Sequence, residues 1–348
     1  AVAELARSTR VVCTTVGPYA KYGLPLLRAC ADAGTHYCDL TGEVLFVRDA
    51  IDLAHARAVE TGARIVASCG FDSVPSDLGV LVTAQRVAAD GEGTLGETLL
   101  HVRSLRGGIS GGTIDSMRQQ MVVSGGDPQR RRIAASSHSL SPDSTLEPPS
   151  RPTQAPPTSL LDKLSRRSPA RVDPVTGRWV APFFMASYNT RIVRRSNALS
   201  DWSYGREFRY DEVMDTGTGL TGAVGAGATT AVLGGLFAGM SNATTRRLLD
   251  RVLPAPGDGP STESMSRGRF VLEIVTTTTT GVRYSTRVAA PFDPGYSGTA
   301  IMLGQSALSL AQDPLTSAGG ILTPAVALGS ALVTRLREHD FTFETTRA

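Results

Sequence analysis

The stretch RVVCTTVGPYAKYGLPLLRACADAGTHYCDLTGE, Arg10 to Glu43, decides the fold. Arg10 to Val16 is a short β-branched run, and the Gly17-Pro18 pair behind it breaks the chain, so the run reads as a buried strand. Leu24, Leu27 and Ala31 then recur at helical spacing, with Pro25 read as a tolerated first-turn residue and Gly34 as the stop. His36 to Leu40 is the next strand. The pattern repeats outward: a helix over Val47 to Glu60 ending at Gly62, a strand over Arg64 to Cys69, and a third helix beginning near Ser76 or Asp77, either of which can cap it. Three β-α units with short connections and near-continuously apolar strands predict an α/β fold, a partial Rossmann-type doubly wound parallel sheet covered on both faces.

Ligands of such sheets bind beyond the carboxyl ends of the strands, so the loops Gly17 to Gly23, Thr41 to Glu43 and Gly70 to Ser76 are expected to line one crevice. A dinucleotide site also needs a glycine-rich turn behind its first strand and a ribose-reading residue about 20 positions later. Only nine residues precede Arg10, and Ala1 to Ser8 reads as the end of a helix. The expectation for residues 1–90 is therefore the C-terminal half of a dinucleotide-binding domain, with its first strands and glycine-rich turn missing.

The chain has 348 residues, 41% of them hydrophobic and 19% charged, enough to bury a large core. Its net charge of +3 has one address: residues 125–175 hold eight Lys/Arg against five Asp/Glu, in a stretch whose composition argues against folding. That placement speaks against a nucleic-acid partner, which needs basic groups along a folded groove. Cys13, Cys30, Cys38 and Cys69 show no CxxC spacing, so no metal site or disulfide framework is expected, and reduced, buried thiols fit a cytoplasmic protein.

Residues 91–300 read as an α+β substrate domain. Thr98 to Leu105 is strand-like, and Gly108 to Gly112 (GISGG) behind it matches the G-x-S-x-G of hydrolase nucleophile elbows. A hydrolase would need an acid and then a histidine downstream, where only His138 and His339 stand, and no HGGG-type partner is present. Ser110, Gly111, Gly112 and Thr113 at a helix start instead offer N–H groups to a phosphate or carboxylate of the substrate. Gly217 to Gly222 (GTGLTG) matches G-x-G-x-x-G, but Tyr210 to Asp215 before it is too polar to read as a buried strand. Residues 125–175 contain nine of the 20 prolines and read as a flexible insertion. Trp179 to Tyr210 sets aromatics beside arginines, either a core with a solvated rim or a channel for an acyl chain on an acidic carrier. Thr216 to Thr245 carries no charge, and its eight glycines between Gly217 and Gly239 favour a packed hairpin or an interfacial segment as much as a membrane span. Phe270 to Val275 and Gly281 to Ala289 read as strands, Ala300 to Leu310 and Pro324 to Leu336 as helices, and Phe341 to Thr345 as a closing strand.

Several motifs carry a family resemblance: VGPYAKYG at Val16 to Gly23, YCDLTGE at Tyr37 to Glu43, CGFDSVPSD at Cys69 to Asp77, SGGT at Ser110 to Thr113, NTRIVRRSNAL at Asn189 to Leu199, LPAPGDGP at Leu253 to Pro260, DPGYSGTAIML at Asp293 to Leu303 and GGILTPA at Gly319 to Ala325. Together they resemble the saccharopine dehydrogenase-like family, and within it the mycobacterial trans-acting enoyl reductases. The cysteines point to a cytoplasmic setting and the uncharged run from Thr216 to Thr245 to one peripheral at the inner face of the plasma membrane, and the resemblance implies an enzyme. It would reduce an α,β-unsaturated thioester held by a polyketide synthase or acyl carrier domain, with NADPH or NADH, in phthiocerol and phenolphthiocerol lipid synthesis. It also implies that residues 301–348 return to the nucleotide domain. The chain departs from the family in lacking its opening strand and phosphate turn, so as written it is expected to hold the substrate half of the chemistry better than the cofactor half.

Enoyl reduction needs a hydride, a proton and a donor facing the thioester oxygen. The candidate catalytic residues are Tyr19, Tyr22 and Asp72. Val16, Gly17, Pro18, Tyr19, Asp39, Gly42, Glu43, Gly70, Phe71 and Ser73 are expected at the cofactor, and Ser76, Ser110, Gly111, Gly112, Thr113 and Arg191 at the substrate. Blander roles compete: Tyr19 and Tyr22 as packing under the loop, Asp72 as a turn residue, Asp39 and Glu43 as strand ends. An imine or amino-acid dehydrogenase of the same family and a non-catalytic, membrane-associated lipid-handling protein are the other functions the chain fits.

Overall fold

The computed structural model describes residues 1–107, 118, 126–148, 169–241, 245 and 259–348. Its first sheet is parallel, in the order β1 (Val11–Cys13), β2 (His36–Cys38), β3 (Arg64–Val66) and β10 (Gly320–Leu322). The strands are shorter than the apolar runs that announce them, since the rest of each run bends into the crevice loops. Helix α1 (Val2–Arg7) packs on α2 (Tyr19–Ala33), which with α3 (Val44–Thr61) covers one face. Both α2 and α3 stop at glycines in the left-handed region, Gly34 and Gly62. Pro25 lies inside α2 rather than in its first turn, because the helix already begins at Tyr19.

The third helix, α4 (Val74–Ala89), does not cover this sheet. It starts before the expected caps, with Ser73 at the N-cap position, and lies on a second sheet, where a Cβ at Gly79 would stand 2.6 Å from Ile274. The opposite face of the first sheet is instead filled from the C-terminus by α9 (Ser297–Gln312), packed on β1 and β2.

The second sheet runs β11-β9-β8-β4-β7-β6-β5, from β4 (Leu95–Arg106), β5 (Arg171–Val172), β6 (Trp179–Pro182), β7 (Arg209–Gly217), β8 (Arg269–Thr278), β9 (Arg283–Ala290) and β11 (Thr342–Arg347). Only β4 and β7 pair in parallel. Burial alternates along β8, with Phe270, Leu272, Ile274 and Thr276 inward, as an antiparallel strand with one covered face requires. Phe71 meets Phe270 edge-on at 5.0 Å between ring centroids, and Phe270 meets Phe341, which joins the cores of the two sheets.

Three expectations change here. The polar run before GTGLTG is strand β7, with Tyr210, Glu212 and Val213 buried, and one long helix, α7 (Gly219–Ser241), comes after it. Part of the proline-rich insertion is ordered: Pro128–Ala135 forms helix α5, capped by Asp127, and Leu140 is fully buried. The closing strand β11 joins the second sheet, whereas α9 and β10 join the first. The remaining elements are α6 (Ala186–Leu199), α8 (Thr262–Ser266), α10 (Pro324–Ala327) and α11 (Gly329–Arg337). The segment Ser110 to Thr113, with the G-x-S-x-G match, lies outside the described residues.

Candidate active site

The three predicted loops do meet at the carboxyl end of the first sheet, and they are held there by buried carboxylates. Glu43 accepts hydrogen bonds from the backbone N–H of Tyr19 (2.9 Å) and of Ala20 (2.8 Å), so its two oxygens cap the N-terminus of α2. Asp39 accepts from Thr41 N (3.0 Å), Ser68 N (3.0 Å) and the Tyr37 hydroxyl (2.9 Å), tying the second loop to the third. Burial pushes its carboxyl up to about 6, against those hydrogen bonds. Both side chains, expected at the cofactor, are spent on the loops.

Tyr19 is likewise committed. Its ring is buried, and its hydroxyl donates to Thr14 O and accepts from Leu40 N, each at 3.2 Å. Tyr22 stands one turn further along α2, half exposed, with the Lys21 ammonium 4.9 Å from its ring centroid. Gly70 lies under Leu40, whose side chain a Cβ there would meet at 2.8 Å. Phe71 turns its ring into the core, while its N–H donates to Thr299 Oγ1 at 3.0 Å. Ser73 is fully buried, and its hydroxyl is unpartnered among the described residues.

What stays open at the mouth is Val16 to Pro18, Leu40, Gly42 and Asp72. A Cβ on Gly42 would stand 3.4 Å from Asp72 Oδ2 and 3.8 Å from Met185 Cε. Asp72 keeps part of its surface open to solvent, yet its surroundings desolvate the carboxyl and push it up to about 6. Among the described residues that carboxyl accepts no hydrogen bond. Behind it, Tyr188 of α6 shares a short hydrogen bond with Ser68 Oγ, and burial raises its phenol well above the usual range. Tyr188 and Met185 were not singled out from sequence; they come from the second half of the chain, and no local pattern marks them.

Ser76 lies deeper, beside Asn189, whose amide donates to Glu212 Oε2 at 2.9 Å. Arg191 is also inward. Its guanidinium donates to Ser136 O (3.0 Å), Ser139 Oγ (3.2 Å), Ala134 O (2.7 Å) and Ser187 O, which corrects its reading as a substrate ligand. Among the described residues no group of His, Cys, Asp and Glu could hold a metal.

Val16 to Pro18, Leu40, Gly42 and Asp72, the exposed and half-exposed groups of the three loops, are those a nicotinamide ring could meet. The N-terminus of α2, which could have faced a pyrophosphate, is already neutralised by Glu43.

No family model matches the chain. A Mycobacterium tuberculosis protein described as a trans-acting enoyl reductase is 47% identical over 99% of this chain and 81% of its own length. A trans-acting enoyl reductase of Mycobacterium ulcerans is 44% identical over 99% of this chain and 82% of its own. Among solved structures, saccharopine dehydrogenase (L-Glu forming) from Saccharomyces cerevisiae superposes with a TM-score of 0.52, covering 100% of this chain and 87% of that one at 10% identity, a likeness of fold. With a parallel sheet ending in a loop crevice, a mixed sheet beside it and that identity along nearly its whole length, the chain belongs to the trans-acting enoyl reductase family, on a saccharopine dehydrogenase-like fold.

Proposed function

We propose that the protein is a nicotinamide-dependent enoyl reductase that acts in trans on an α,β-unsaturated acyl thioester carried by a polyketide synthase, in the making of complex lipids of the phthiocerol class. The observation that carries the reading is Asp72: a desolvated carboxyl without a hydrogen-bond partner among the described residues, partly open to solvent and beside Gly42 of the second loop. When bound, a reduced nicotinamide, NADPH in our reading, supplies the hydride for the β-carbon. The chain's own part is to place the substrate and deliver the proton. Asp72, raised to about 6, is protonated in a fraction of molecules near neutral pH and is the donor we assign to the α-carbon. Leu40 and Met185 favour an acyl chain over the charged backbone of an amino acid. Four free cysteines support a cytoplasmic setting.

The test is NADPH oxidation, followed by absorbance, with the purified chain and an enoyl thioester on an acyl carrier domain. Asp72→Asn is expected to lower kcat about a hundredfold. In the unsubstituted enzyme the rate should fall as pH rises through about 6, because the protonated form is the active one. No oxidation with any enoyl thioester overturns the reading of function; full activity in Asp72→Asn overturns the assignment of the donor.

A further inference from the structure

The proposed reduction makes no use of α7, the 23-residue helix behind β7. From Thr216 to Thr245 the chain has no ionisable side chain. Gly219–Met240 covers 22 residues at a mean hydropathy of 1.5, and at 1.5 Å per residue it is about as long as a bilayer's hydrocarbon core is thick. A core helix of this composition would be enclosed by protein. Here Gly222, Ala226 and Met240 are buried on an inward stripe, while Leu220, Val224 and Val232 are 81%, 64% and 70% exposed. From Gly222 to Met240, every exposed position is Gly, Ala, Val or Phe.

Topology excludes a transmembrane span. A single crossing would place the strands C-terminal to α7 on the far side of the membrane from those N-terminal to it, yet β8 pairs with β4 from Leu95↔Thr278 to Arg106↔Arg269. A second crossing has no sequence to form it: residues 242–258 carry Arg246, Arg247, Asp250 and Arg251 and fall short of the roughly 20 apolar residues a span needs. The chain must therefore leave and re-enter the same side. A protein partner is a poor match as well, since protein interfaces carry about one hydrogen bond per 100–200 Å² and a polar rim. The exposed part of α7 from Gly222 to Met240 has no side chain that can make either. Lipid tails ask for neither.

We propose that α7 is a monotopic docking helix whose exposed face inserts into one leaflet of a phospholipid bilayer, so that the protein works at a membrane surface. The inference does not rest on the reduction proposed above. The test is flotation of the purified full chain with vesicles of phosphatidylcholine and phosphatidylglycerol, beside the variant L220K/V224K/V232K. Each lysine opposes immersion in hydrocarbon, so the floated fraction should drop tenfold or more, with melting midpoint and NADPH oxidation unchanged because the three sites are exposed. Val232→Lys alone should show the same direction if the triple variant does not fold, and V224L/V232L should float like the unsubstituted chain. The proposal is overturned if the unsubstituted chain does not float, or if the lysine variants float equally well. It is also overturned if the chain forms a dimer that the lysines split and vesicles do not compete for, in which case a second copy covers α7.

Discussion

Two aspartates in neighbouring loops show how much of a residue's role is set by its partners. Asp39 and Asp72 are both raised by burial to about 6. Asp39 accepts three hydrogen bonds and is structural, whereas Asp72 accepts none among the described residues and faces the crevice mouth. Glu43 belongs with Asp39: its carboxyl is buried on the two leading N–H groups of α2, at the positive end of the helix dipole. Replacing it by Gln turns an acceptor pair into one acceptor and one misplaced donor. Glu43→Gln is expected to destabilise the fold by about 1–3 kcal/mol, read by denaturant unfolding. The motif YCDLTGE could be quoted from sequence, yet its residues' roles could not, since Glu43 acts on a backbone 24 positions upstream.

Among the elements, α6 makes the clearest departure from expectation. Its arginines, set beside aromatics, could have greeted an acidic carrier. Instead Arg191 holds Ala134 O and Ser136 O, Arg194 holds Ser137 O and Tyr210 O, and Arg195 holds Leu140 O and Ile321 O. Burial, with the Arg48 guanidinium nearby, lowers Arg195 to about 9. The carbonyls at the C-terminus of α5 are a favourable place for cations. Arg48 of α3 donates to Ser139 O, and Arg130 pairs with Asp49 at 3.0 Å, which pins the same segment from the other side. Arg191→Ala should release it: hydrogen exchange of the amides of residues 134–140 is expected to quicken about tenfold, with exchange in β8 unchanged. This clamp was not legible beforehand because its acceptors are main-chain carbonyls, which every sequence has in equal number.

At the scale of the whole molecule, the two sheets meet across buried acids. Asp77 accepts from Ser196 Oγ and from Ala325 N (2.8 Å), linking α4, α6 and α10, and Glu212 accepts from Asn189 and Tyr210. Burial pushes both carboxyls up to about 7. Between their ordinary values and about 7 the folded chain binds more protons than the unfolded one, so stability falls as pH rises through that window. The melting midpoint should drop between about pH 5 and about pH 8, and Asp77→Asn and Glu212→Gln should each flatten the slope. Sequence by itself determined the β-α alternation of the first ninety residues and the place of the crevice loops, because periodicity and Gly/Pro breaks are local. It marked α7 too, since an uncharged run of thirty residues needs no neighbour to be seen. Only the tertiary structure decided that α4 serves the second sheet while α9 covers the first, that Glu43 and Arg191 bind backbone rather than ligand, and that Asp72 alone of the loop carboxylates is left facing the opening. Those outcomes depend on partners brought from distant parts of the chain, and burial and hydrogen-bond satisfaction are properties of that meeting, not of either partner.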